Sequence, residues 1–385
     1  NAVSGSEWQT PRLERRALAE IPLRALSPNK NGWQMIVGGL GGIGLALAED
    51  LVARGFRKIA LLSRHSPDAE KKELLRELEK SGVTVTTIQA DVTDYQALER
   101  AVAALEETAP VRSIYHCAVV KRVSNVDENK PWGAFWQILA PKVLGAWNLH
   151  RISVARKMDL DQMVLFSSSV SVVPSYSLPH YVAANAYLDA LAVWRGEQGL
   201  PALSVSWGAW RDIGTVADPA QADHLKNGGL HSFSPLEGLK MLAAVQERNV
   251  PHLAVMKVDW ARLLRQYGHR VPAYFSNVAR PASGAVAGRQ DSGVQTAGEC
   301  GSSSRDGILD SLRSAPTAPE QRNVLEKWLK GRFAELLKIS PEAIDSAASL
   351  FDLGVDSLMF IEMVDGLEKA LDVKISPSSL LQDFC

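Results

Sequence analysis

The sequence has little that would direct the chain to nucleic acid, to a metal ion or into a membrane. Its 42 lysine and arginine residues nearly balance 43 aspartate and glutamate residues, so charge alone indicates no partner. Its three cysteines, Cys117, Cys300 and Cys385, have no metal-ligand spacing and are too few for a disulfide framework. No uninterrupted apolar run approaches the ~20 residues of a membrane span, and the N-terminus lacks the pattern of a signal peptide. We therefore expect a reducing, cytoplasmic compartment, with no nucleic acid, metal or membrane as partner.

The 385 residues allow two or three domains, and one stretch separates them. From Arg280 to Pro319 the chain is rich in glycine, serine, alanine and proline, which is the composition of a flexible linker. Because the chain begins with Asn1 instead of methionine and stops just after an apolar segment, we expect a fragment of a longer protein. The predicted divisions are an N-terminal segment and tether, a large domain, a linker and a small domain, at residues 1–30, 31–279, 280–319 and 320–385.

Short apolar runs alternate with helical patterns throughout the large domain. The predicted strands are WQMIV, KIALLS, VTVTTIQA, SIYHCAV, QMVLFSS, ALSVSW and HLAVMKV, and helices such as IGLALAEDLVARG lie between them. Strands that are apolar on both faces and alternate with helices indicate a parallel sheet that is covered on both sides. We therefore predict an α/β domain with a Rossmann-like, doubly wound parallel sheet. The small domain shows only helical periodicity, which predicts a small all-α bundle.

The first predicted strand leads directly into a glycine-rich turn, VGGLGGIG, and then into an amphipathic helix. Gly38, Gly42 and Gly44 lie where strand becomes helix, so the backbone can turn tightly and approach a pyrophosphate at the helix N-terminus. A glycine-rich turn without a ligand is the alternative, but the strand before it and the helix after it favour a dinucleotide site. The predicted cofactor-binding residues of this loop are Gly38, Gly39, Leu40, Gly41, Gly42, Ile43 and Gly44.

The residues that follow the second and third strands indicate which dinucleotide binds. The second strand ends in Ser63 and Arg64, where an NAD site usually has an acidic residue on the ribose hydroxyl. A cation at this point suits the 2′-phosphate, so we predict NADPH; the alternative is that Arg64 is an ordinary exposed arginine. After the third strand, Asp91 and Val92 in ADVTD are placed to meet the adenine, with a helix cap as the alternative for Asp91.

A serine, a tyrosine and an asparagine follow the strand QMVLFSS in an order that suits acid catalysis. Ser168 ends the strand, Tyr181 comes thirteen residues later, and Asn185 lies four residues after the tyrosine on the same helix face. A tyrosine becomes a useful acid for a nascent alkoxide when a neighbouring cation favours its ionised form, and the candidate cation is Lys142 on the preceding helix. Each residue alone has an ordinary explanation, as a turn residue, a half-buried helix residue or a surface charge. Together, behind a dinucleotide loop, they favour a reductase.

These motifs, in this order, resemble the ketoreductase domains of modular polyketide synthases, which are similar to short-chain dehydrogenases/reductases. The resemblance covers Trp33 to Leu264 and rests on VGGLGGIG, LLSR, ADVTD, APKVLGAWNLH, FSS, YVAANAYLDALA and SVSWGAW. It implies that Tyr181 is the general acid and that Ser168 hydrogen-bonds the substrate carbonyl. It also implies that Lys142 tunes the tyrosine and the cofactor ribose, and that Asn185 supports the proton relay.

The same resemblance implies a nicotinamide contact and a lid, and it has departures. Trp207 and Gly208 in WGAW would flank the nicotinamide, and the segment after Ile213 would cover the substrate. The glycine loop begins with Val37 where threonine is usual, and HCAVV stands where His-Ala-Ala-Gly-Val is common. The fingerprints for the hand of the alcohol are absent, because Leu-Asp-Asp would fall on residues 121–123 and tryptophan on Val173.

The N-terminal segment resembles only a remnant of the structural half that precedes the catalytic half in this family. SEWQTPRLERRAL resembles the last strand of that half. We therefore predict that the first thirty residues pack as an extended strand and tether and do not form a domain.

The C-terminal segment from Gln321 to Cys385 resembles an acyl carrier protein through FAELLKISPEAIDSAASLFDLGVDSL. The resemblance implies that Ser357 receives 4′-phosphopantetheine from a phosphopantetheinyl transferase, and that the last helix of a four-helix-type carrier domain is cut off. A serine at a helix N-terminus can receive a phosphodiester without an electrostatic penalty, although helix capping alone also explains it. Phe360, Val364, Leu367 and Leu371 are spaced as an inward-facing stripe behind it.

The main hypothesis is a polyketide synthase segment that reduces a carrier-bound β-ketoacyl thioester to a β-hydroxyacyl thioester with NADPH. The expected partners are the other domains of the same synthase and the transferase. The alternatives are a ketoreductase fold that epimerises without net reduction, and a structural fold that serves mainly as a carrier and docking segment. The second alternative predicts that NADPH affinity has been lost.

Overall fold

The structure is a computed structural model, and its described residues fall into two compact units, Asn1–Ala279 and Arg280–Cys385. The described ranges are residues 2–4, 7–9, 11–24, 28–120, 132–173, 179–213, 225–265, 267, 271–279, 305–337, 340, 344, 367 and 371. Each unit is described by itself below.

The first unit is built on a seven-stranded sheet in which all neighbouring strands are parallel. The strands along the chain are β1 Ala2–Ser4, β2 Glu7–Gln9, β3 Trp33–Val37, β4 Lys58–Ser63, β5 Thr84–Gln89, β6 Val111–His116, β7 Gln162–Ser168, β8 Leu203–Trp207, β9 Leu230–His231, β10 His252–Val255 and β11 Lys257–Val258. The order in the large sheet is β10-β8-β7-β6-β3-β4-β5. The predicted doubly wound parallel sheet is therefore confirmed.

Helices cover both faces of this sheet. They are α1 Gly42–Ala53, α2 Ala69–Lys80, α3 Tyr95–Glu106, α4 Trp132–Ala155, α5 Pro179–Glu197, α6 Pro235–Gln246, α7 Trp260–Arg265 and α8 Ser276–Ala279. Several begin where the sequence supplies a cap, because Asp68 accepts from the amide of Lys71 at the start of α2 and Asp94 accepts from the amide of Ala97 at the start of α3. Among the described residues, no helix is both long and apolar enough to cross a membrane.

Two apolar clusters form the core, one on each side of the sheet. On one side, Leu98, Leu149 and Leu188 bring α3, α4 and α5 against the strands. On the other side, Leu47 and Leu242 do the same for α1 and α6. Because both faces of the sheet are covered, its central strands are buried along their whole length, which explains their nearly continuous apolar runs.

The predicted strand HLAVMKV is divided in the structure. Its first part, His252–Val255, pairs in parallel with Leu203–Trp207 in the large sheet. Its second part, Lys257–Val258, pairs antiparallel with Leu230–His231 in a separate two-stranded sheet. The apolar run continues through the change of partner, so hydrophobicity alone does not indicate the division.

The N-terminal segment belongs to the first unit. Its two short strands, Ala2–Ser4 and Glu7–Gln9, pair antiparallel. Further on, the amide of Leu13 donates to the carbonyl of Tyr274 at 2.8 Å, and Leu23 forms a backbone bridge with Arg248. The segment of residues 11–24 is thus held against the rest of the first unit by backbone contacts, in mostly irregular conformation.

The second unit is helical in its described part, with α9 Arg305–Ser314 and α10 Ala318–Leu337. Helix α9 lies inside the stretch of residues 280–319 that composition predicts as a linker. Its Ile308 is buried and Leu312 follows one turn later, so a short amphipathic pattern is present inside the glycine- and serine-rich text. Of the predicted inward-facing stripe, Leu367 and Leu371 are helical and Leu367 is buried, whereas Phe360 and Val364 lie outside the described residues.

Candidate active site

The predicted site residues of the first unit gather at one edge of the sheet. Strands β3, β4, β6, β7 and β8 are parallel, so their carboxyl ends meet there. In open α/β sheets this edge is where ligands bind. Ser357 lies outside the described residues, as do residues 121–123 and the segment of residues 214–224 after Ile213.

The glycine loop at the end of β3 is too tight for side chains. Gly38 has a φ of +80°, which favours glycine, and its amide and that of Gly39 donate to the carbonyl of Leu62 at 2.8 and 3.1 Å. A Cβ atom on Gly44 would lie 2.6 Å from the carbonyl oxygen of Gly38, closer than any real contact allows. Helix α1 begins at once with Gly41 as a cap that offers no side chain, so the amides of its first turn face the edge of the sheet. Such a bare cradle suits a pyrophosphate.

The other predicted loop positions follow from this geometry. Leu40 and Ile43 pack partly against the apolar cluster below the loop. Gly42 is the first residue of the helix, where a Cβ atom would be 3.0 Å from the Cβ of Ile213. The glycine loop therefore also contacts the residue after which the predicted lid begins.

Arg64 and Asp91 follow the carboxyl ends of the neighbouring strands β4 and β5. The side chain of Arg64 is exposed, while its carbonyl accepts a hydrogen bond from Nε2 of Gln89 at 3.2 Å. Ser63 is half-buried at the strand end before it. The exposed guanidinium stays available to a phosphate at this end of the sheet.

Asp91 is not the cap of the following helix. Its Oδ1 accepts from the amide and the hydroxyl of Thr93 at 2.9 and 2.8 Å, which closes a local turn, and Asp94 is the residue that caps α3. The helix-cap alternative for Asp91 is thus removed. Val92 is buried, and its carbonyl accepts from Nδ2 of Asn148 at 3.1 Å.

The side chains of Tyr181 and Ser168 interact at the end of β7. Burial raises the pKa of Tyr181, and interactions with the side chains of Ser168 and Asn185 act in the opposite direction. Asn185 is fully buried, and its Nδ2 donates to the carbonyl of Tyr181 at 2.7 Å. Its Oδ1 is buried with no hydrogen-bond partner among the described residues. The structure therefore brings the predicted tyrosine, serine and asparagine to one place.

Lys142 is buried behind Tyr181. Its Nζ donates to the carbonyl of Phe166 at 2.7 Å and lies 5.9 Å from the centroid of the Tyr181 ring. Burial lowers the pKa of Lys142 to about 8, although the nearby Cys117 and Asp189 favour its charged form. Pro141 lies inside the continuous helix α4 and lacks an amide, so one backbone hydrogen bond of the helix is missing directly before the lysine.

His116 supports the same turn of α4 from below. Its Nε2 lies 3.0 Å from the carbonyl oxygen of Pro141. Burial and the positive charge of Lys142 lower the pKa of His116 to about 3, so the ring is neutral and Nε2 donates to that carbonyl. The side chain of the histidine in HCAVV thus holds the backbone next to the lysine.

The side chain of Trp207 packs in the core. It is only 4% exposed, stacks on Phe166 with ring centroids 6.0 Å apart, and meets Trp210 edge-on at 5.0 Å. What reaches the edge of the sheet is the backbone of Trp207 and Gly208, and the Gly208 amide donates to the carbonyl of Val255 at 2.8 Å. A contact with the nicotinamide at these positions would therefore come from the backbone.

Motif reasoning missed Asp189, a buried carboxylate two turns after Tyr181 on α5. Three serine hydroxyls contact it, from Ser171, Ser204 and Ser206. An acidic residue on the buried face of an otherwise apolar helix is rare and could have identified it. No group of three or more metal-ligating side chains exists in the described part of the chain.

Family models match both units. Residues 32–212 match the KR domain, and residues 327–384 match the phosphopantetheine attachment site. The mycoketide-CoA synthase of Mycobacterium tuberculosis is 33% identical over 359 residues, which cover 92% of this chain and 8% of that protein. Polyketide synthase GfsA of Streptomyces halstedii is 32% identical over 358 residues, which cover 92% of this chain and 5% of that protein. The chain thus spans a small part of these curated relatives.

Solved structures with the same fold are also ketoreductases. An A-type ketoreductase from a modular polyketide synthase is 34% identical with a TM-score of 0.63, covering 69% of this chain and 56% of that chain. The first ketoreductase of the tylosin polyketide synthase is 33% identical with a TM-score of 0.61, covering 69% of this chain and 57% of that chain. The sheet and its helices are therefore similar to those of polyketide synthase ketoreductases.

Burial of the lysine cation makes the stability of the protein depend on pH in a defined direction. The pKa of Lys142 is about 8 in the folded protein and ~10.4 in an unfolded chain, so the unfolded chain binds more protons between these values. Relative to Lys142→Met, the wild type should gain stability from pH 8 to about pH 10.4, by on the order of 3 kcal/mol. Below pH 8 the difference should be constant. Urea unfolding of both proteins, followed by tryptophan fluorescence across this range, measures it.

The matched control is Lys240→Met, which removes an exposed lysine from α6. Its difference from the wild type should show no such rise, because an exposed ammonium keeps its water. A flat or falling difference for Lys142→Met would contradict the burial of the cation.

Proposed function

Because the chain belongs to the polyketide synthase family and comprises a ketoreductase domain and a carrier-protein domain, we propose that it reduces a β-ketoacyl thioester held on a carrier to the β-hydroxyacyl thioester with NADPH. The main support is the convergence of Lys142, Ser168, Tyr181 and Asn185 at one place in the domain. The activity of a whole synthase is not implied, since the chain is a small part of its curated relatives.

The residues at the edge of the sheet fit a phosphorylated dinucleotide. The cradle from Gly38 to Gly44 has no side chain that would fill it and has open amides at the start of α1, which suits the pyrophosphate. Arg64, beside Ser63, would meet the 2′-phosphate, and Asp91 with Val92 would meet the adenine. NADPH, when bound, supplies the hydride.

Tyr181 is the proposed acid in the reduction. Its hydroxyl gives a proton to the ketone oxygen as the carbonyl carbon is reduced, so the product hydroxyl takes its hydrogen from the tyrosine. Ser168 hydrogen-bonds the same oxygen and holds it against Tyr181. Burial raises the pKa of Tyr181 and makes it a weaker acid, so donation of its proton requires a cation that stabilises the phenolate.

Lys142 is the proposed source of that stabilisation. With a pKa of about 8, its ammonium is charged at neutral pH and lies 5.9 Å from the Tyr181 ring. The carbonyl of Phe166 fixes the direction of the ammonium at 2.7 Å. The buried Oδ1 of Asn185 has no hydrogen-bond partner among the described residues and offers an acceptor to the proton relay.

The second unit is the proposed carrier. The phosphopantetheine attachment match spans residues 327–384 and therefore includes Ser357. We place the attachment at this serine because it follows Asp356 in LGVDSL. The flexible arm, together with the predicted linker, would deliver the thioester to Tyr181 at a raised effective concentration.

A non-reducing or purely structural role for the first unit has less support. Such a domain has no need to keep a buried ammonium next to a half-buried tyrosine, because burial of an ion costs free energy. The tight glycine cradle also retains the shape that a nucleotide requires.

Replacing the proposed acid should remove reduction without removing cofactor binding. Tyr181→Phe is expected to lower NADPH oxidation with a β-ketoacyl N-acetylcysteamine thioester by about 100-fold or more, because the proton donor is lost. The Kd for NADPH, from its fluorescence, should change by less than about twofold, since the ring remains. Tyr187→Phe, a half-buried tyrosine on the same helix, is the matched control and should keep full activity. Full activity in Tyr181→Phe would refute the assignment.

The choice of NADPH over NADH should depend on Arg64. Arg64→Gln is expected to raise the Kd for NADPH about tenfold or more and to leave the Kd for NADH unchanged, because only NADPH has the 2′-phosphate. Arg57→Gln removes an exposed arginine just before the opposite end of the same strand and should change neither value. If Arg64→Gln weakened the binding of NADPH and NADH equally, the arginine would contact a part of the cofactor that both nucleotides share, and the assignment to the 2′-phosphate would be wrong.

The carrier assignment is tested by modification. After incubation with coenzyme A and a broad-specificity phosphopantetheinyl transferase, the intact mass of the wild-type chain should increase by one phosphopantetheinyl group. Ser357→Ala should show no increase, whereas Ser349→Ala, eight residues earlier in the same segment, should be modified like the wild type. Modification of Ser357→Ala would show that another residue is the attachment point.

A further inference from the structure

Asp189 lies at the centre of a buried cluster that joins three parts of the active site. It is 8% exposed and lies eight residues after Tyr181 and four after Asn185 on α5, so the three side chains share one face of the helix. Burying a carboxylate is costly unless hydrogen bonds replace its water. The hydroxyls around Asp189 provide these bonds.

Each carboxylate oxygen of Asp189 accepts from serine. Oδ1 accepts from the Ser204 hydroxyl at 2.6 Å, and Oδ2 accepts from the hydroxyls of Ser171 at 2.6 Å and Ser206 at 3.1 Å. His252 adds a fourth neighbour, with its Nε2 3.5 Å from Oδ1 and 2.9 Å from the Ser206 hydroxyl. Short contacts to an ionised acceptor are the stronger kind of hydrogen bond.

Ser171 connects this carboxylate to the turn that begins with Ser168. The turn is a short 3-10 helix, Ser169–Ser171, that directly follows the end of β7. The Ser171 hydroxyl lies 2.8 Å from the Ser168 carbonyl oxygen as well as 2.6 Å from Asp189. Its single hydrogen serves one of these acceptors at a time, and donation to Asp189 is the arrangement that ties the turn to α5.

The same cluster reaches the other two active-site segments. Ser206 immediately precedes Trp207 and Gly208 on β8, and its hydroxyl lies 3.5 Å from that of Ser167. The Ser167 hydroxyl in turn donates to the carbonyl of Asn185 at 3.2 Å. The carboxylate of Asp189 on α5 therefore binds Ser171 in the turn after β7 and both serines of β8 directly. Through Ser206 the cluster also reaches Ser167 near the end of β7.

The position of the serines is unusual for a buried parallel strand. Ser204 and Ser206 are two residues apart, so both point to the α5 side of the sheet, and both are fully buried. A strand covered on both faces is normally apolar throughout. Both serine hydroxyls donate to Asp189, which indicates that these positions orient the carboxylate in addition to packing against α5.

We infer that Asp189 is a positioning residue that sets Ser168 against Tyr181 by anchoring the Ser169–Ser171 turn to α5. This inference rests on the proposed function for its catalytic consequence, but the placement of the turn does not. Asp189 does not touch the reacting atoms. Its effect passes through Ser171, and removal of either partner should loosen the same turn.

The test compares three variants of the full chain. Asp189→Asn keeps the shape of the side chain but leaves one oxygen in place of two, and Ser171→Ala removes the link to the turn. Ser204→Ala is the matched control, because its hydroxyl contacts the same carboxylate through the other oxygen and contacts no residue of the turn. Ser171→Ala and Ser204→Ala each remove one buried hydrogen bond to Asp189 and should lower Tm to a similar degree, and Asp189→Asn removes at least one.

Turnover and hydrogen exchange separate the positioning role from stability. Asp189→Asn and Ser171→Ala should lower kcat with the β-ketoacyl N-acetylcysteamine thioester about tenfold or more, with the Kd for NADPH unchanged, whereas Ser204→Ala should keep kcat within about twofold. The double variant Asp189→Asn/Ser171→Ala should lower kcat no more than Asp189→Asn alone, since both substitutions break the same connection between Ser171 and Asp189. In the peptide that spans residues 167–173, amide exchange should be faster in the first two variants and unchanged in Ser204→Ala.

Wild-type kcat and exchange in Asp189→Asn would overturn the inference, as would equal losses of kcat in Ser171→Ala and Ser204→Ala. Reduction by the wild-type chain is the test of the proposed function. If the wild type reduced no β-keto thioester, that proposal would fail, and hydrogen exchange alone would still decide whether Asp189 anchors the turn.

Discussion

A buried cation is the constraint on which the rest of the active site depends. Lys142 is 3% exposed, and an ammonium in such a place is tolerated only where hydrogen bonds and charges replace its water. The carbonyl of Phe166 provides one hydrogen bond, and this carbonyl belongs to the strand that ends at Ser168. Since the lysine is bound to that strand and faces the ring of Tyr181, one interaction positions the cation, the serine and the tyrosine together.

Polar groups that shape the active site lie both at the cofactor edge of the sheet and deeper in the domain. Near the cofactor edge, a glycine cradle leaves backbone amides open, because every side chain larger than hydrogen would strike the loop at Gly44. Deeper in the domain, Asp189 accepts hydrogen bonds from serine hydroxyls of the turn after β7 and of strand β8. His116 holds the turn of α4 at Pro141. Buried polar groups that satisfy one another in this way favour a single geometry over a looser apolar packing.

Local patterns predicted most of the fold and the residues of the site, and they failed where a residue changes its partner. The run HLAVMKV is apolar throughout, but its two halves pair with different sheets. Asp91 and Asp94 are equally good helix caps by composition, and only the observed hydrogen bonds assign the cap to Asp94. Trp207 is the last residue of β8 at the cofactor edge, but its ring turns inward to stack on Phe166. The helix Arg305–Ser314 is too short to alter the composition of a forty-residue window.

The sequence alone determined the parallel sheet, the glycine loop, and the order of the serine, tyrosine and asparagine, whereas Ser357 as the attachment point stays a prediction. These depend on the period of apolar residues and on short motifs, which are local properties of the chain. The tertiary structure alone decided that Lys142 meets the carbonyl of Phe166 and that Asp189 binds three serines from two segments. Those contacts join residues up to 24 positions apart, and burial, which no local pattern measures, determines their strength.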